Sequence, residues 1–324
     1  MNTNTSAIIL AGGEGKRMNS KLPKAMAEVI FQPMIKWVID AVREAGINDI
    51  CVVTGSKREF LENYLDTLPF ETEKVFQSER LGTGHAVMQA RDFLERHRGS
   101  DVLVLNGDAP FINADTIKEA FAVHSSKGCT VVSAEIENPT GYGRIIHENA
   151  DNSLKAIIEE KEADDETKKI KEVNSGVYWF EVDSLLEALT KIKKSAKTGE
   201  YYITDTIFEI KKTGKTVLAY KAENADSVLG ANDCIQLAQL NEIARKRILE
   251  KHMKNGVNIP CTDGVMIGTN VQIEPNTVIL PSSVIIGNTK IGSFCLIGPS
   301  AFITDCCISD NTVTGNSCLK SQNL

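Results

Sequence analysis

Residues 267–303 read IGTNVQIEPNTVILPSSVIIGNTKIGSFCLIGPSAFI, and within them Ile267, Ile273, Ile279, Ile285, Ile291, Ile297 and Ile303 recur at a strict spacing of six. Neither the 3.6-residue period of a helix nor the two-residue period of a strand generates that pattern. A hexapeptide period is the mark of a β-helix, in which each repeat gives one short strand to the wall of a prism and the isoleucines stack inside it. The register slips near Ile308, and the sequence reaches Leu324 with no obvious capping element. Solenoids normally carry polar caps, so the expectation is a fragment of a longer protein or a shortened form of one.

Immediately before the repeats, residues 233–255 read DCIQLAQLNEIARKRILEKHMKN, with Leu237, Leu240, Ala244 and Ile248 three or four apart. That spacing predicts a helix with one buried face, stopped by Gly256. Further upstream, apolar strand-like runs alternate with amphipathic stretches: AIILA, MIKWVIDAVREAG, DICVVTG, GTGHAVMQARDFLERH, DVLVLNG and NADTIKEAFAVHSSKG. Such alternation predicts an α/β domain with a largely parallel sheet. The expected organisation is an α/β domain over residues 1–230, a connecting helix over 231–256, and a truncated β-helix over 257–324.

Composition narrows the function. The 324 residues, 42% hydrophobic and 24% charged, are those of an ordinary globular protein of about two domains. A net charge of −7 argues against a general nucleic-acid binder, which needs a clustered basic surface. The first apolar run, Ala7 to Ala11, is cut off by Gly12 and Gly13, so neither a signal peptide nor a membrane span is read there. Eight scattered cysteines show no metal-ligand spacing, and the expected compartment is the reducing cytosol.

In open parallel sheets ligands sit at the carboxyl ends of the strands, which directs attention to the loops after AIIL and DVLVL. The first, LAGGEGKRM (residues 10–18), is rich in glycine and cation: its backbone N–H groups can approach phosphate oxygens, and Arg17 adds a forked donor for the same anion. It matches neither the GxGxxG dinucleotide fingerprint nor the GxxxxGK[ST] P-loop. Lys24, in LPK (22–24), places a further cation downstream. In the second loop, Asp108 follows a strand-like run, a natural position for a ligand of a hard cation.

These motifs resemble the nucleotide-binding segment of sugar-phosphate nucleotidyltransferases. Further stretches, in order, narrow the resemblance to bacterial N-acetylglucosamine-1-phosphate uridyltransferases: QSERLGTGHA (77–86), NGDAP (106–110), PTGYGRI (139–145), IIEEKEADDE (157–166), VNSGVY (173–178), GEYYITD (199–205) and LGAN (229–232). It covers essentially the whole chain. The resemblance implies a Rossmann-like nucleotidyltransferase domain with a mixed, mostly parallel sheet, then a connecting helix and a short left-handed β-helix. It implies a nucleotide site built from Leu10, Ala11, Gly12, Gly13, Lys24, Gln77, Gly82, Thr83, Asn106, Gly107 and Asp108, with Gln77, Gly82 and Thr83 at the uracil. Gly143, Glu159, Asn174 and Asn232 would hold the sugar, Asp108 and Asn232 a Mg2+ ion, and Arg17 and Lys24 would be catalytic. Tyr202 and Thr204 are candidates for the same pocket, or for a core-facing strand; His85 is read as a packing residue. At Asn106 the sequence departs from relatives that carry tyrosine or a small residue, so backbone contacts are inferred there.

The implied reaction joins UTP and N-acetylglucosamine 1-phosphate into UDP-N-acetylglucosamine and pyrophosphate, in the cytoplasm, for cell-envelope precursor synthesis. In the family the β-helix also carries an acetyltransferase; no such activity is expected of this chain, and a homotrimer through the β-helix is left open. The alternatives are a sister enzyme with another sugar or base, and a catalytically silent regulatory or scaffold relative. The repeats alone would fit an acyltransferase or an assembly module.

Overall fold

The computed structural model describes residues 5–18, 20–124, 127–148 and 153–320. They divide into two units. One runs to Ala27 and resumes from Met34 to Asp233; the other takes Glu28–Pro33 and the chain from Cys234 onward. The long helix thus belongs to the second unit, and so does a short hairpin far upstream of it.

In chain order the first elements are β1 (Thr5–Leu10), the second unit's hairpin of β2 (Glu28–Val29) and β3 (Gln32–Pro33), then α1 (Met34–Glu44), β4 (Asp49–Thr54), α2 (Arg58–Asp66), β5 (Glu73–Phe76), α3 (Thr83–Gln89), α4 (Arg91–Arg96), β6 (Asp101–Asn106) and α5 (Ala114–His124). There follow β7 (Cys129–Glu135), β8 (Arg144–His147), β9 (Leu154–Ile158), α6 (Asp165–Lys168), β10 (Glu172–Glu181), α7 (Val182–Leu189), α8 (Asp205–Lys212), β11 (Val217–Lys221) and α9 (Cys234–Lys254). The stretch GTGHAVMQARDFLERH, which reads as one helix, is broken at Ala90 into α3 and α4.

The main sheet has the order β11-β7-β10-β6-β1-β4-β5. β1 runs parallel to both β4 and β6, while β10 is antiparallel to β6 and β7. Its central strands read as continuous apolar runs because both faces are covered: Ala7, Ile8 and Ile9 of β1 and Val102 to Leu105 of β6 are fully buried. Helices supply the cover, α1 burying Ile35, Val38, Ile39 and Val42 on one side, and α7 burying Leu185 and Leu186 on the other. β8 and β9 form an antiparallel pair joined to the sheet where Arg144 meets Val173.

In the second unit α9 buries Leu240, Ala244, Leu249 and His252, so its buried stripe drifts from Ile248 to Leu249 in the last turns. After it the chain winds into the left-handed β-helix. Three walls of short parallel strands form, pairing Met266 with Val284 and Val284 with Phe302, Gln272 with Lys290, and Val278 with Leu296. Each pairing spans eighteen residues, three hexapeptides. The seven periodic isoleucines all point inward, none more than 8% exposed. Beyond Ile303 the coil shortens: Leu296 pairs with Val313 and Phe302 with Cys318, which is the slip of register visible at Ile308.

The interior stack makes a stability prediction. Ile285→Ala, which leaves a cavity in a fully buried position, is expected to cost about 2–5 kcal/mol, whereas outward-facing Gln272→Ala should stay within about 0.5 kcal/mol of wild type. Denaturant titration of the two variants, followed by circular dichroism, checks the contrast.

Candidate active site

Parallel pairing of β1 with β6 sets Leu10 opposite Asn106, so both strands end together and release their loops at one edge of the sheet. The Ala11 N–H donates to the Val53 carbonyl and the Gly107 N–H to that of Leu10, both at 2.9 Å. Those two N–H groups are therefore committed to the fold. Past them the glycine-rich loop turns back on itself, Met18 N–H donating to Gly15 and Lys24 N–H to the Gly13 carbonyl at 3.2 Å. That last bond brings Lys24 under the loop and beside the end of β6.

Lys24 is the meeting point of three segments. Its ammonium forms an ion pair with the Asp108 carboxylate and donates to Asn232 Oδ1 at 2.8 Å. The Lys24 side chain is only 14% exposed, so this is not a surface pair that water screens away. Two hard oxygen donors, one charged and one neutral, thus converge on a single cationic position. The donor set fits Mg2+, which is typically held by one or two protein oxygens and completes its shell with water and substrate phosphate. Among the described residues no group of three or more His, Cys, Asp or Glu side chains is placed to hold a metal ion.

Two cavities adjoin here and share Thr83, Asn106, Asp108 and Glu159 in their walls; Lys24 and Asn232 line the first of them. The first, about 220 Å3, is lined by Gly143, Glu159, Asn174, Tyr178 and Asn232 together with Lys24. Here the Asn174 N–H donates to the Gly143 carbonyl at 2.9 Å, tying β10 to the loop before β8. Asn174 Nδ2 donates to the Tyr178 hydroxyl at 2.6 Å, and its Oδ1 accepts from the Gly176 N–H at 3.0 Å, so the amide is held in one orientation. Glu159 Oε1 accepts from the Thr204 hydroxyl at 2.9 Å. Burial raises the Glu159 carboxyl above its ordinary range, opposed by that hydroxyl and assisted by the charges of Asp205 and Glu200. The walls offer a carboxylate, an amide and a hydroxyl, which suits a ligand rich in hydroxyl and amide groups.

The second cavity, about 410 Å3, is lined by Leu10, Gly12, Gly13, Gln77, Arg80, Gly82 and Thr83. Gly82 sits at φ +96°, and any Cβ there would lie 2.4 Å from the Tyr201 carbonyl, so glycine is required. The segment 200–203 crosses it closely: Gly84 N–H donates to the Tyr201 carbonyl and Ile203 N–H to the Thr83 hydroxyl. Arg80 pairs with Glu14 of the glycine-rich loop. A flat base and a chain of phosphates fit the dimensions and the donors of this cavity.

Of the residues singled out from sequence, Leu10, Gly12, Gly13, Lys24, Gln77, Gly82, Thr83, Asn106, Asp108, Gly143, Glu159, Asn174 and Asn232 line one or both cavities. Ala11 and Gly107 lie behind them in the strand ends, and Arg17 stands exposed in the turn Lys16–Met18, outside both linings. Segment 201–204 is not a strand; Tyr202 and Thr204 precede α8. Sequence reading missed Tyr178, which its apolar strand disguises as core, and Arg144, fully buried, whose guanidinium bonds the Lys168 carbonyl and pairs with Glu160 at 2.9 Å. A larger cavity of about 620 Å3, lined by Lys155, Ile192, Phe208 and the far sides of Glu159 and Thr204, receives none of the strand-end loops.

The chain belongs to the nucleotidyl transferase family, which it matches over residues 6–260. Residues 270–305 match the bacterial transferase hexapeptide repeat. Within that family it is similar to proteins named bifunctional protein GlmU. It is 42% identical over 314 residues to that of Caldanaerobacter subterraneus subsp. tengcongensis, 41% over 320 to that of Acetivibrio thermocellus, and 39% over 321 to that of Enterococcus faecalis. These alignments cover 96–98% of this chain and 66–69% of the relatives, so the chain spans about two thirds of their length. Two solved structures share the fold: a putative glucose-1-phosphate thymidylyltransferase from Bacillus anthracis (TM-score 0.61, 21% identity, covering 74% of this chain and 95% of that one) and a UDP-glucose pyrophosphorylase (0.62, 20%, 75% and 99%).

The raised carboxyl of Glu159 has a testable consequence. Between its ordinary and its raised value the folded chain holds a proton that the unfolded chain has released, so stability falls as pH rises through that window. Glu159→Gln removes the penalty. The variant is expected to melt at a higher temperature than wild type at pH 8, with the difference shrinking below pH 4; melting curves at both pH values check it.

Proposed function

We propose that this chain is a uridyltransferase that joins UTP and N-acetylglucosamine 1-phosphate into UDP-N-acetylglucosamine, releasing pyrophosphate. The observation that supports it most is that two chemically different cavities share Asp108 in their walls, where Asp108 pairs with Lys24 and Lys24 bonds Asn232. Uracil is assigned to Gln77, Gly82 and Thr83, the triphosphate to the loop from Leu10 to Gly13, and the sugar to Gly143, Glu159, Asn174 and Asn232. Asn106 completes the nucleotide site, backed by Ala11 and Gly107, whose N–H groups are bonded within the fold.

In this reading an oxygen of the sugar phosphate attacks the α-phosphorus of UTP; a new P–O bond forms as the bond from that phosphorus to the β-phosphate bridge breaks. The attacking oxygen is already ionised, so no general base is required. Catalysis is positioning and charge neutralisation. Lys24 lies where the two substrates meet and stabilises charge on the transferring phosphate. Arg17, exposed in the turn of the glycine-rich loop, is assigned to charge on the leaving phosphates. Asp108 and Asn232 would hold Mg2+ in place of the Lys24 ammonium they bind here, freeing Lys24 for the phosphate, and the ion when bound neutralises charge on the reacting phosphates. Such substrates place the enzyme in the cytoplasm; among the described residues no helix is long and apolar enough to cross a membrane.

A pyrophosphate-release assay with purified protein, UTP, N-acetylglucosamine 1-phosphate and Mg2+ tests the proposal. Turnover that a chelator abolishes is expected, and a folded protein without turnover rejects it. Lys24→Ala and Asp108→Ala should each lose at least ~2 kcal/mol of transition-state stabilisation, roughly thirtyfold in kcat/KM. Wild-type rates in either variant reject that residue's role.

A homotrimer through the β-helix is proposed on a separate observation. Outward-facing residues of one wall form an apolar column, Val278, Leu296 and Val313, with Val313 72% exposed, while the wall carrying Gln272, Lys290 and Cys307 is polar. Sedimentation equilibrium should return three times the chain mass, falling to one in a Leu296→Glu, Val313→Glu double variant; a monomeric wild type overturns it.

A further inference from the structure

His85 stands at the start of α3, half-buried, where a histidine needs no function beyond packing. Its surroundings give it one. Gln77, only 5% exposed, directs its Nε2 to two acceptors at once, the Gly82 carbonyl at 3.1 Å and His85 Nδ1 at 3.2 Å. An amide nitrogen has two N–H donors, and both are used. The amide oxygen is turned the other way: Gln77 Oε1 lies 3.0 Å from the point where a side chain on Gly12 would begin, at the wall of the nucleotide cavity.

The imidazole itself is held. Its ring lies near-parallel to Tyr201, with centroids 6.3 Å apart and planes inclined by 23°, and its Nε2 is 3.2 Å from Nε2 of Gln89, one turn along the helix, which also donates to the His85 carbonyl at 3.1 Å. A neutral imidazole carries one proton and accepts at one nitrogen only. Both amides also bond a backbone carbonyl, so reversing either costs a bond. Gln77 is only 5% exposed and would leave its groups unpaired, whereas half-buried Gln89 can exchange its bond for water, so Gln77 has the stronger demand on that acceptor. The ring proton then sits on Nε2 and faces Gln89, whose Nε2 keeps its bond to the His85 carbonyl only until the half-buried amide reverses toward the ring.

We propose that His85 is a positioning residue for base selection: by accepting at Nδ1 it locks the Gln77 amide with N–H inward and Oε1 toward the base, so that the base must present a ring N–H at that point. Uracil has such an N–H at N3, between two carbonyls. Cytosine has a lone pair there, and two acceptors would face each other across a desolvated contact. Sites that demand a hydrogen bond discriminate strongly against the analogue that cannot make it, since their buried polar groups are left unpaired. The proposal rests on the assignment of Gln77 to the base made above, and adds the residue that decides which face of Gln77 the base meets.

The test measures kcat and KM with UTP and with CTP for wild type, His85→Leu and His85→Asn. Leucine keeps the bulk and removes the acceptor; asparagine keeps an oxygen close to the place of Nδ1. In His85→Leu the preference for UTP over CTP in kcat/KM should fall at least ~10-fold, through a raised KM for UTP with kcat within about threefold of wild type. His85→Asn should restore the preference to within about threefold. A His85→Leu protein of unchanged melting temperature that keeps the wild-type preference overturns the assignment, as does an asparagine variant no better than leucine. Nitrogen-15 NMR of the wild-type ring gives a reading that needs no variant: Nε2 protonated is expected, and a proton on Nδ1 overturns the proposal. Absence of UTP turnover in the wild type would instead overturn the assignment of the base cavity, and this proposal with it.

Discussion

The ammonium of Lys24, held between the carboxylate of Asp108 and the amide oxygen of Asn232, is the contact through which three distant parts of the first unit depend on one another. Asp108 is delivered by the end of β6, Lys24 by the return of the glycine-rich loop, and Asn232 by the last segment before α9. None of the three is placed by its own sequence neighbourhood. Parallel pairing brings the strand ends level, the Gly13 carbonyl turns the loop back to Lys24, and the withdrawal of the ammonium from water makes a wrong arrangement costly. Asp108 is also a wall residue shared by the cavity assigned to a base and phosphates and the one assigned to a polyhydroxylated ligand. Chemistry between two such ligands has one place to occur.

The two units solve the burial problem in different ways. In the first, a nine-stranded sheet is covered on both faces, and the price of burying its strand ends is met by loops that carry function. In the second, a column of isoleucines fills a narrow prism whose strands are two or three residues long. Such a solenoid stabilises by repetition and leaves its outer walls free to vary. That freedom is visible in the contrast between the column of Val278, Leu296 and Val313 and the polar wall bearing Lys290.

Much of this architecture was legible in the sequence because it obeys a period. The isoleucines at six-residue intervals can stack only in a prism, and the alternation of apolar runs with amphipathic stretches can form little except a covered parallel sheet. The antiparallel insertion of β10 between β6 and β7 was not legible, since the run VYWF is apolar in either direction. Nor was the hairpin of β2 and β3: Ile30 and Phe31 both take positive φ without a glycine or asparagine to announce the turn, and Asn241 of α9 bonds the Ile30 N–H from over two hundred residues away. For the site, Asp108 follows from its place after a strand, but Lys24 and Asn232 stand 208 residues apart and were joined only by family resemblance. Tyr178 and His85 looked like packing because their roles are exercised through Asn174 and Gln77. No pattern along the chain encodes a side chain whose task is to orient another.

The most direct test of the whole account is a crystal structure of this chain with UDP-N-acetylglucosamine and Mg2+. Uracil is expected against Gln77 and Gly82, the diphosphate at Lys24 and at the Mg2+ assigned to Asp108 and Asn232, and the sugar against Gly143, Glu159 and Asn174, one ligand spanning both cavities. A nucleotide sugar bound in the cavity of Lys155 and Phe208, or with its base and sugar exchanged, would contradict it.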